Sequence, residues 1–256
     1  MDNWHIKLFN RSILKQQKWN VLKSFAGDYT NKHCFDLGSD NGVISYLFRQ
    51  GGGEWSSVDI DDQAVDSIRS LVGDNVYKME DAPHLPFSDN EFDMVVIVDM
   101  LEHVHDDEGL ASEISRIIKS EGEVIVNVPH KKQFSIIKHI RNALGLTDEQ
   151  HGHVRAGYTI QEIKDLFPQF KIKRAITHSK FFSELIDIVV SYSFYILSNK
   201  KSSSKGTLVI QQDIKKQKKL FFLYTISYPL LWLFSKLDIL LFFLLGYKLV
   251  VKAQKT

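Results

Sequence analysis

Two segments in the first half of the chain contain residues suited to bind a ligand. Residues 36–42 read Asp-Leu-Gly-Ser-Asp-Asn-Gly and lie where a predicted strand turns into a predicted helix. Glycine there permits positive φ angles and close approach of the backbone to a ligand, and the first amides of a helix are unpaired donors. Asp59 lies 21 positions after Gly38, at the predicted end of the next strand. A carboxylate there can accept hydrogen bonds from both hydroxyls of a ribose, so the two segments predict a ribose-containing ligand.

Residues 36–42 also allow other interpretations. A dinucleotide-binding turn reads Gly-x-Gly-x-x-Gly, whereas Asp40 stands between the two glycines here and Val43 follows them. The pattern therefore disfavours a pyrophosphate site. A tight turn without any ligand is the alternative for this segment taken alone. We expect Asp61 to cap the helix that begins near Gln63 rather than to bind a ligand.

His103 and His130 are the candidate general bases. Each follows a predicted strand, at the edge where ligands lie in an open parallel sheet. Histidine has the unperturbed pKa closest to neutrality, which suits proton transfer. The alternative is that Glu102 and His103 only shape their loop. Four later residues could orient a hydroxyl or an anionic group: His151, His153, Arg155 and Tyr158. A zinc site on the two histidines is disfavoured, because no cysteine or carboxylate at a suitable spacing accompanies them.

The elements that must position these residues alternate along the chain. We predict strands over 33–37, 55–59, 76–78, 92–98 and 123–128, with helices over 43–49, 63–71 and 108–118. Alternation of this kind implies βαβ units and an open, doubly wound sheet. The Thr-Ile-Gln-Glu sequence at 159–162 matches a capping box and predicts a helix to Phe167, followed by a strand over 170–177. Residues 4–25 have the spacing of a basic amphipathic helix.

The order of these motifs resembles the class I S-adenosylmethionine-dependent methyltransferase family, in the branch of ubiquinone-type and of sugar or polyketide O-methyltransferases. The acidic glycine turn and Asp59 are followed by Asp-Ala at 81–82, Leu-Pro-Phe at 85–87 and Asp-Met-Leu-Glu-His-Val at 99–104. The resemblance covers roughly residues 30–175. It implies a Rossmann-like, doubly wound, mostly parallel seven-stranded sheet, with a C-terminal apolar helical insertion before the last strand. It also implies S-adenosylmethionine as the cofactor.

The resemblance further assigns roles to single residues. The implied cofactor-binding residues are Asp36, Gly38, Ser39, Gly42, Asp59, Ile60, Asp81, Ala82, Val98 and Asp99. Among them, the two glycines would line the methionine portion, Asp59 would bind ribose, and Asp81 with Ala82 would contact adenine. Val98 or Asp99 would face the sulfonium. Asp40 departs from the family, which usually has glycine there, and could crowd or repel the cofactor carboxylate. Asp99, Glu102 and His103 also resemble the cluster that some quinone-type relatives use for a divalent ion, but we predict no metal.

Composition is typical of a globular protein. With 256 residues, 25% of them charged, and a formal net charge of +1, the sequence suggests no nucleic acid partner. Cys34 is the only cysteine, which excludes an intrachain disulfide. We predict a helical cap over 1–30, a cofactor-binding core over 31–178, an apolar helical insertion with a basic linker over 179–246, and a final core strand over 247–256. The polar N-terminus lacks a secretory pattern, so we expect a cytoplasmic protein.

The insertion contains two apolar stretches, 181–197 and 220–246. Lys236 and Asp238 interrupt the second stretch and disfavour a helix that spans a membrane. Residues 199–219 contain seven lysines against one acidic residue, Asp213. Lysines of this density attract anionic lipid surfaces, which favours peripheral contact of both stretches with the inner face of a membrane. A cap over the active site, or an ordinary buried hairpin with a solvated linker, are the alternatives.

Together these features predict transfer of a methyl group to oxygen on a lipid-linked glycan intermediate or another hydrophobic small molecule. Two alternatives stay open. One is methylation of a quinone precursor. The other is a methyltransferase-like binding or scaffold protein without turnover, for which Asp40 is the reason.

Overall fold

The chain divides into two compact units in a computed structural model that describes residues 4–80, 82–132, 135–146, 152–198 and 218–256. The core unit comprises Trp19–Lys131, Gly157–Thr177 and Lys248–Thr256. The insertion unit comprises Met1–Lys18, Lys132–Ala156 and His178–Tyr247.

A seven-stranded sheet forms the centre of the core unit. Its strands are β1 (His33–Leu37), β2 (Glu54–Asp59), β3 (Val76–Lys78), β4 (Phe92–Val98), β5 (Ile118–Pro129), β6 (Phe170–His178) and β7 (Lys248–Lys255). Their order is β3-β2-β1-β4-β5-β7-β6. The pairs among β1 to β5 are parallel, and β7 runs antiparallel to β5. The predicted Rossmann-like fold with a mostly parallel seven-stranded sheet is confirmed.

The strand order explains where a ligand would bind. The chain moves outward from β1 to β2 and β3, then returns to place β4 on the other side of β1. In an open α/β sheet this reversal leaves a crevice outside the carboxyl ends of the two strands at the switch point. Residues that directly follow β1 and β4 therefore lie closest to that crevice.

The described helices are α1 (Trp4–Phe9), α2 (Ile13–Ala26), α3 (Val43–Arg49), α4 (Asp62–Val72), α5 (Asp107–Ile117), α6 (Ile136–Ala143), α7 (Ile160–Leu166), α8 (Phe181–Ser198) and α9 (Lys218–Ser235). Short 3-10 helices cover Leu101–His103 and Lys236–Leu241. Two predicted caps are confirmed. The Asp61 carboxylate accepts hydrogen bonds from the amides of Gln63 and Ala64, and Thr159 forms the capping box with Glu162.

Apolar burial holds the core unit together. Val95, Val96 and Ile97 of β4 are fully buried, which requires cover on both faces of the sheet. Side chains of β1, β4, β5 and β7 join those of α5 and α7 in one apolar cluster. The continuous apolar run that predicted β4 is therefore explained by its central place in the sheet.

The N-terminal region differs from the predicted one. Residues 4–25 form two helices, α1 and α2, separated at 10–12, instead of one. The unit boundary falls after Lys18, not after residue 30. The reason is that Leu22 is fully buried in the core unit and the Trp19 ring lies 5.0 Å from the Phe48 ring.

The insertion unit also contains more of the chain than predicted. Residues 132–156 belong to it, because Ile137 and Leu146 pack with Ile188 of α8 in a separate apolar cluster. The apolar stretch 220–246 contains most of α9 and the second 3-10 helix. Within the described ranges, no helix has the length and apolarity needed to cross a bilayer.

Candidate cofactor and substrate site

The turn after β1 requires glycine at two positions. Gly38 has φ +85°, and a Cβ atom there would lie 2.6 Å from the carbonyl oxygen of Val98. Gly42 has φ +79°, and a Cβ atom there would lie 2.7 Å from the Cα atom of Ile68. Both the backbone conformation and the space exclude a side chain. The glycines therefore let the turn pack directly against the end of β4 and against α4.

Asp36 is enclosed beneath this turn. Its Oδ1 atom accepts hydrogen bonds from the hydroxyls of Ser39 and Ser45, at 2.5 and 2.6 Å. Its Oδ2 atom accepts a hydrogen bond from Ser57 at 2.7 Å and lies 3.5 Å from the Arg49 guanidinium. Burial lowers the pKa of Arg49, and the Asp36 carboxylate opposes that shift.

These contacts change the interpretation of two predicted cofactor residues. Both carboxylate oxygens of Asp36 are bound by protein groups, and the Ser39 hydroxyl points to Asp36. Their side chains therefore stabilise the turn from within. The sequence analysis missed Arg49, Ser45 and Ser57, because polar residues on a helix and a strand carry no local sign of a shared buried partner.

Asp59 is the acidic residue best placed for a ribose. It ends β2, is only 2% exposed, and accepts hydrogen bonds from the amides of Asp61 at 3.1 Å and Asp40 at 3.4 Å. A carboxylate has about four acceptor positions, so it can accept hydrogen bonds from several donors at once. The carboxylate and the glycine turn fit a ribose-containing cofactor.

Asp40 adopts the backbone conformation that a glycine would allow. Its φ angle is +54°, in the left-handed region that aspartate and asparagine visit more readily than other residues with a Cβ atom. Its amide donates to Asp59. The departure from the family pattern at this position therefore leaves a turn of the expected kind.

Asp99 follows β4 and has partners from two other strands. Its Oδ1 atom accepts hydrogen bonds from the side-chain amide of Asn127 at 3.0 Å and from the Lys248 ammonium at 3.2 Å. Its amide donates to the Asn127 carbonyl at 2.8 Å. Asn127 had a signal in the sequence, as a polar residue inside the apolar run of β5. Lys248 had no signal in the sequence, because it reaches Asp99 only through the antiparallel pairing of β7 with β5.

The candidate bases lie at the same edge of the sheet. His103 ends the 3-10 helix after β4 and is half-buried, and His130 directly follows β5. Tyr158 connects the two segments. Its backbone forms a bridge with His130, and its hydroxyl donates to Asp107 at 2.8 Å and lies 3.2 Å from the Leu101 carbonyl. Tyr158, which the sequence suggested could orient a hydroxyl or an anionic group, is thus a buried residue of the core unit whose hydroxyl contacts Asp107 and Leu101.

The other predicted residues are distributed as follows. Val98 is buried and Ala82 is exposed. Ile60 is partly buried against the main apolar cluster. Asp81 and His151 lie outside the described residues, whereas His153 and Arg155 belong to the insertion unit.

Comparisons with known proteins agree with this architecture. Residues 35–126 match the family described as a methyltransferase domain. Demethylmenaquinone methyltransferase of Lactobacillus johnsonii is 24% identical over 68% of this chain and 76% of its own length. The ubiquinone/menaquinone biosynthesis C-methyltransferase of Haemophilus ducreyi is 34% identical over 46% of this chain and 49% of its own length. An uncharacterized protein of Methanocaldococcus jannaschii is 49% identical over 22% of this chain and 23% of its own length.

Solved structures share the fold at low sequence identity. The phosphoethanolamine N-methyltransferase 2 of Haemonchus contortus, bound to S-adenosyl-L-methionine, superposes with a TM-score of 0.58 at 17% identity. That match covers 94% of this chain and 52% of the other. The cyclase SpnF superposes with a TM-score of 0.61 at 15% identity, over 94% of this chain and 82% of the other. The predicted resemblance to class I S-adenosylmethionine-dependent methyltransferases is confirmed, because residues 35–126 match a methyltransferase domain.

Proposed function

We propose that this protein transfers a methyl group from S-adenosylmethionine to a hydrophobic small molecule, with oxygen on a lipid-linked glycan intermediate as the leading acceptor. The observation that carries the proposal is the buried Asp59 carboxylate, oriented by two backbone amides at the end of β2. It lies next to the turn of Gly38 and Gly42, at the strand ends where this fold binds ligands. When bound, the cofactor supplies a methyl group made electrophilic by the sulfonium.

The residues of this chain would then act mainly by positioning. Asp59 would accept hydrogen bonds from the ribose hydroxyls. Asp99 is held in one orientation by Asn127 and Lys248, which gives a fixed carboxylate at the end of β4. Orientation of reactants can supply most of the acceleration of a transfer reaction. A base adds about 10²–10⁴-fold, and His103 is our first candidate, with His130 second.

The choice of acceptor rests on the composition of the insertion unit, whose exposed apolar residues suit a hydrophobic or lipid-linked compound. A quinone precursor is the second candidate acceptor. It is favoured by two relatives that are named as quinone-biosynthesis methyltransferases. A non-catalytic methyltransferase-like binding protein is the third alternative, for which the aspartate at position 40, where the family usually has glycine, is the reason.

Calorimetry with S-adenosylmethionine and with its demethylated product tests the cofactor site. We expect both to bind, and Asp59→Ala to weaken binding by about 1.5–3 kcal/mol because charged hydrogen bonds to ribose are lost. Asp61→Ala is the matched control, because Asp61 lies two residues away and caps α4. Unchanged affinity in folded Asp59→Ala would show that Asp59 is misassigned. No binding of either compound to the wild type would remove the basis of the enzyme proposals.

Transfer of labelled methyl groups tests the chemistry and the acceptor. The probes are a polyprenyl-phosphate-linked saccharide and a demethylated naphthoquinone with a short prenyl chain. Labelling of the saccharide supports our first choice, and labelling of the quinone alone supports the second. With the active acceptor, we expect His103→Ala to lower kcat by about 10²–10⁴-fold while cofactor affinity stays nearly intact. His105→Ala is the nearby control, and full activity of His103→Ala across pH would move the role to His130 or to positioning alone.

A further inference from the structure

The segment 222–245 exposes an unusual number of apolar side chains. Leu230 is 71% exposed, Ile239 71% and Phe242 81%. The other exposed large apolar residues of the segment are Phe222, Leu223, Ile226, Trp232, Leu233, Phe234, Leu240, Phe243, Leu244 and Leu245. We call these thirteen residues the apolar surface. Single exposed apolar residues are common on proteins, but a concentration of this size indicates a contact with something other than water.

Helix α9 turns apolar side chains outward, whereas a surface helix of a water-soluble protein turns them inward. Phe222, Ile226, Leu230 and Leu233 recur every three or four residues along its exposed side. Three described polar residues of the helix, Tyr224, Tyr228 and Ser235, lie on its inner side instead. The Tyr224 hydroxyl donates to the Arg11 carbonyl, and the Gln16 amide donates to the Tyr228 hydroxyl at 2.8 Å. Surface helices normally turn their apolar stripe toward the protein, so this arrangement requires an apolar environment outside it.

Several lysines accompany the apolar surface. Asp238 is the only acidic residue in 222–245, and its carboxylate accepts hydrogen bonds from the amides of Phe182 and Ser183 at 2.8 and 3.2 Å. The Asp238 carboxylate therefore faces the protein and binds the amides at the start of α8. Three lysines lie along the same segment: Lys236 over the Trp232 ring, Lys180 bound to the Leu241 carbonyl, and Lys132 bound to the Leu245 carbonyl. The preceding residues 199–219 add seven lysines and one aspartate.

We propose that the apolar surface docks into the boundary between headgroups and acyl chains of a bilayer that contains anionic lipids. Apolar side chains with interfacial aromatic rings and flanking lysines are the combination that such a boundary accepts. A second copy of this chain would be a poorer partner, because association through this surface would bring Lys132, Lys180 and Lys236 close to the same lysines of the other copy. The proposal concerns the insertion unit alone and does not depend on methyl transfer.

Vesicle flotation of the full chain tests the proposal. We expect binding to phosphatidylcholine vesicles that contain phosphatidylglycerol, and progressive release as salt screens the lysines. Replacing Ile226, Leu230 and Ile239 by serine should weaken binding to these vesicles and to pure phosphatidylcholine by at least about tenfold. The matched control replaces Ile136, Ile160 and Val154 by serine. These residues are also aliphatic, are 52%, 42% and 40% exposed, and lie outside the segment, so the control should bind like the wild type.

Further variants separate the contribution of the lysines from the direct contact of Trp232 with lipid. Glutamine at Lys215, Lys216, Lys218 and Lys219 should lower binding to anionic vesicles by at least about tenfold and barely change binding to neutral ones. With brominated lipids, Trp232 should be quenched, whereas Trp55, only 4% exposed in the core unit, should not. Trp232→Phe should therefore abolish most of the quenching, and Trp55→Phe should retain it.

Three outcomes would overturn the proposal. The first is that the wild type binds neither kind of vesicle, and the second is that the two triple serine variants bind equally. The third is a stable dimer in light scattering that becomes a monomer when Ile226, Leu230 and Ile239 are replaced by serine. Calorimetry with S-adenosylmethionine on the same samples keeps this test distinct from the proposed function. Cofactor binding without vesicle binding rejects the docking surface, and with it the reason for preferring a lipid-linked acceptor, but leaves the methyltransferase proposal in place. Vesicle binding without cofactor binding rejects only the enzyme.

Discussion

The core unit buries large apolar side chains, whereas the insertion unit exposes many of them. In the core unit, Val95, Val96 and Ile97 are fully buried. In the insertion unit, Leu230 and Phe242 point outward while polar groups of the same segment find partners inside. In both units an inward-facing carboxylate accepts hydrogen bonds from protein groups, Asp36 in the core unit and Asp238 in the insertion unit, as enclosed polar groups generally do. Among the described residues the two units differ in what covers the apolar side chains, and the lipid docking that we propose would cover the outer face of the insertion unit.

The largest expected loss of stability follows from removing Asp36, the carboxylate enclosed in the core unit. Asp36→Ala leaves the mostly buried Arg49 without its carboxylate, and we expect a loss of about 3–5 kcal/mol in the free energy of unfolding. Urea unfolding followed by tryptophan fluorescence measures it. Asp66→Ala is the control, because Asp66 forms an exposed pair with Arg69 at 3.7 Å, and exposed pairs contribute little. Similar results for the two variants would show that the Asp36 network does not stabilise the unit.

An intermediate loss of stability is expected from a substitution in the glycine turn after β1. Gly42→Ala and Gly27→Ala both place a side chain at a positive φ angle, +79° and +67°. Only at Gly42 does the new Cβ atom meet another backbone, that of Ile68, since nothing lies within 4 Å at Gly27. We expect Gly42→Ala to be less stable than Gly27→Ala by about 1–3 kcal/mol, which is the cost of overpacking. Equal melting and urea midpoints would contradict the close packing of the turn against α4.

The smallest expected loss of stability is that of Leu230→Ala in the insertion unit, and it tests most directly whether the two units differ in apolar burial. Leu230→Ala should change the free energy of unfolding by less than about 0.5 kcal/mol, because the side chain is 71% exposed. Leu22→Ala, the same substitution at a fully buried position of the core unit, should cost about 2–5 kcal/mol. Urea unfolding in the absence of lipid compares them. A large loss for Leu230→Ala would mean that the outer face of α9 is covered within the protein itself.

Much of the fold and part of the site could be predicted from local patterns. The continuous apolar run of 92–98 identified β4, the capping residues Asp61 and Thr159 marked two helix starts, and glycine spacing located the turn after β1. These features depend on neighbours within a few residues. Backbone geometry and hydrogen bonding at that range are set by residue type, so the sequence alone was sufficient.

Other features depended on strand order and packing. Lys248 reaches Asp99 although 149 positions separate them, and Asp36 finds Ser57 across a strand pair. The division of residues 1–30 between the units and the inward orientation of Tyr224 and Tyr228 were equally invisible in the sequence. Residue type sets what a side chain can bind, but contacts between distant positions exist only after the sheet and helices have assembled. The tertiary structure therefore decided which carboxylate is enclosed beneath the turn, which one is oriented by backbone amides at the end of β2, and which face of α9 is left outside.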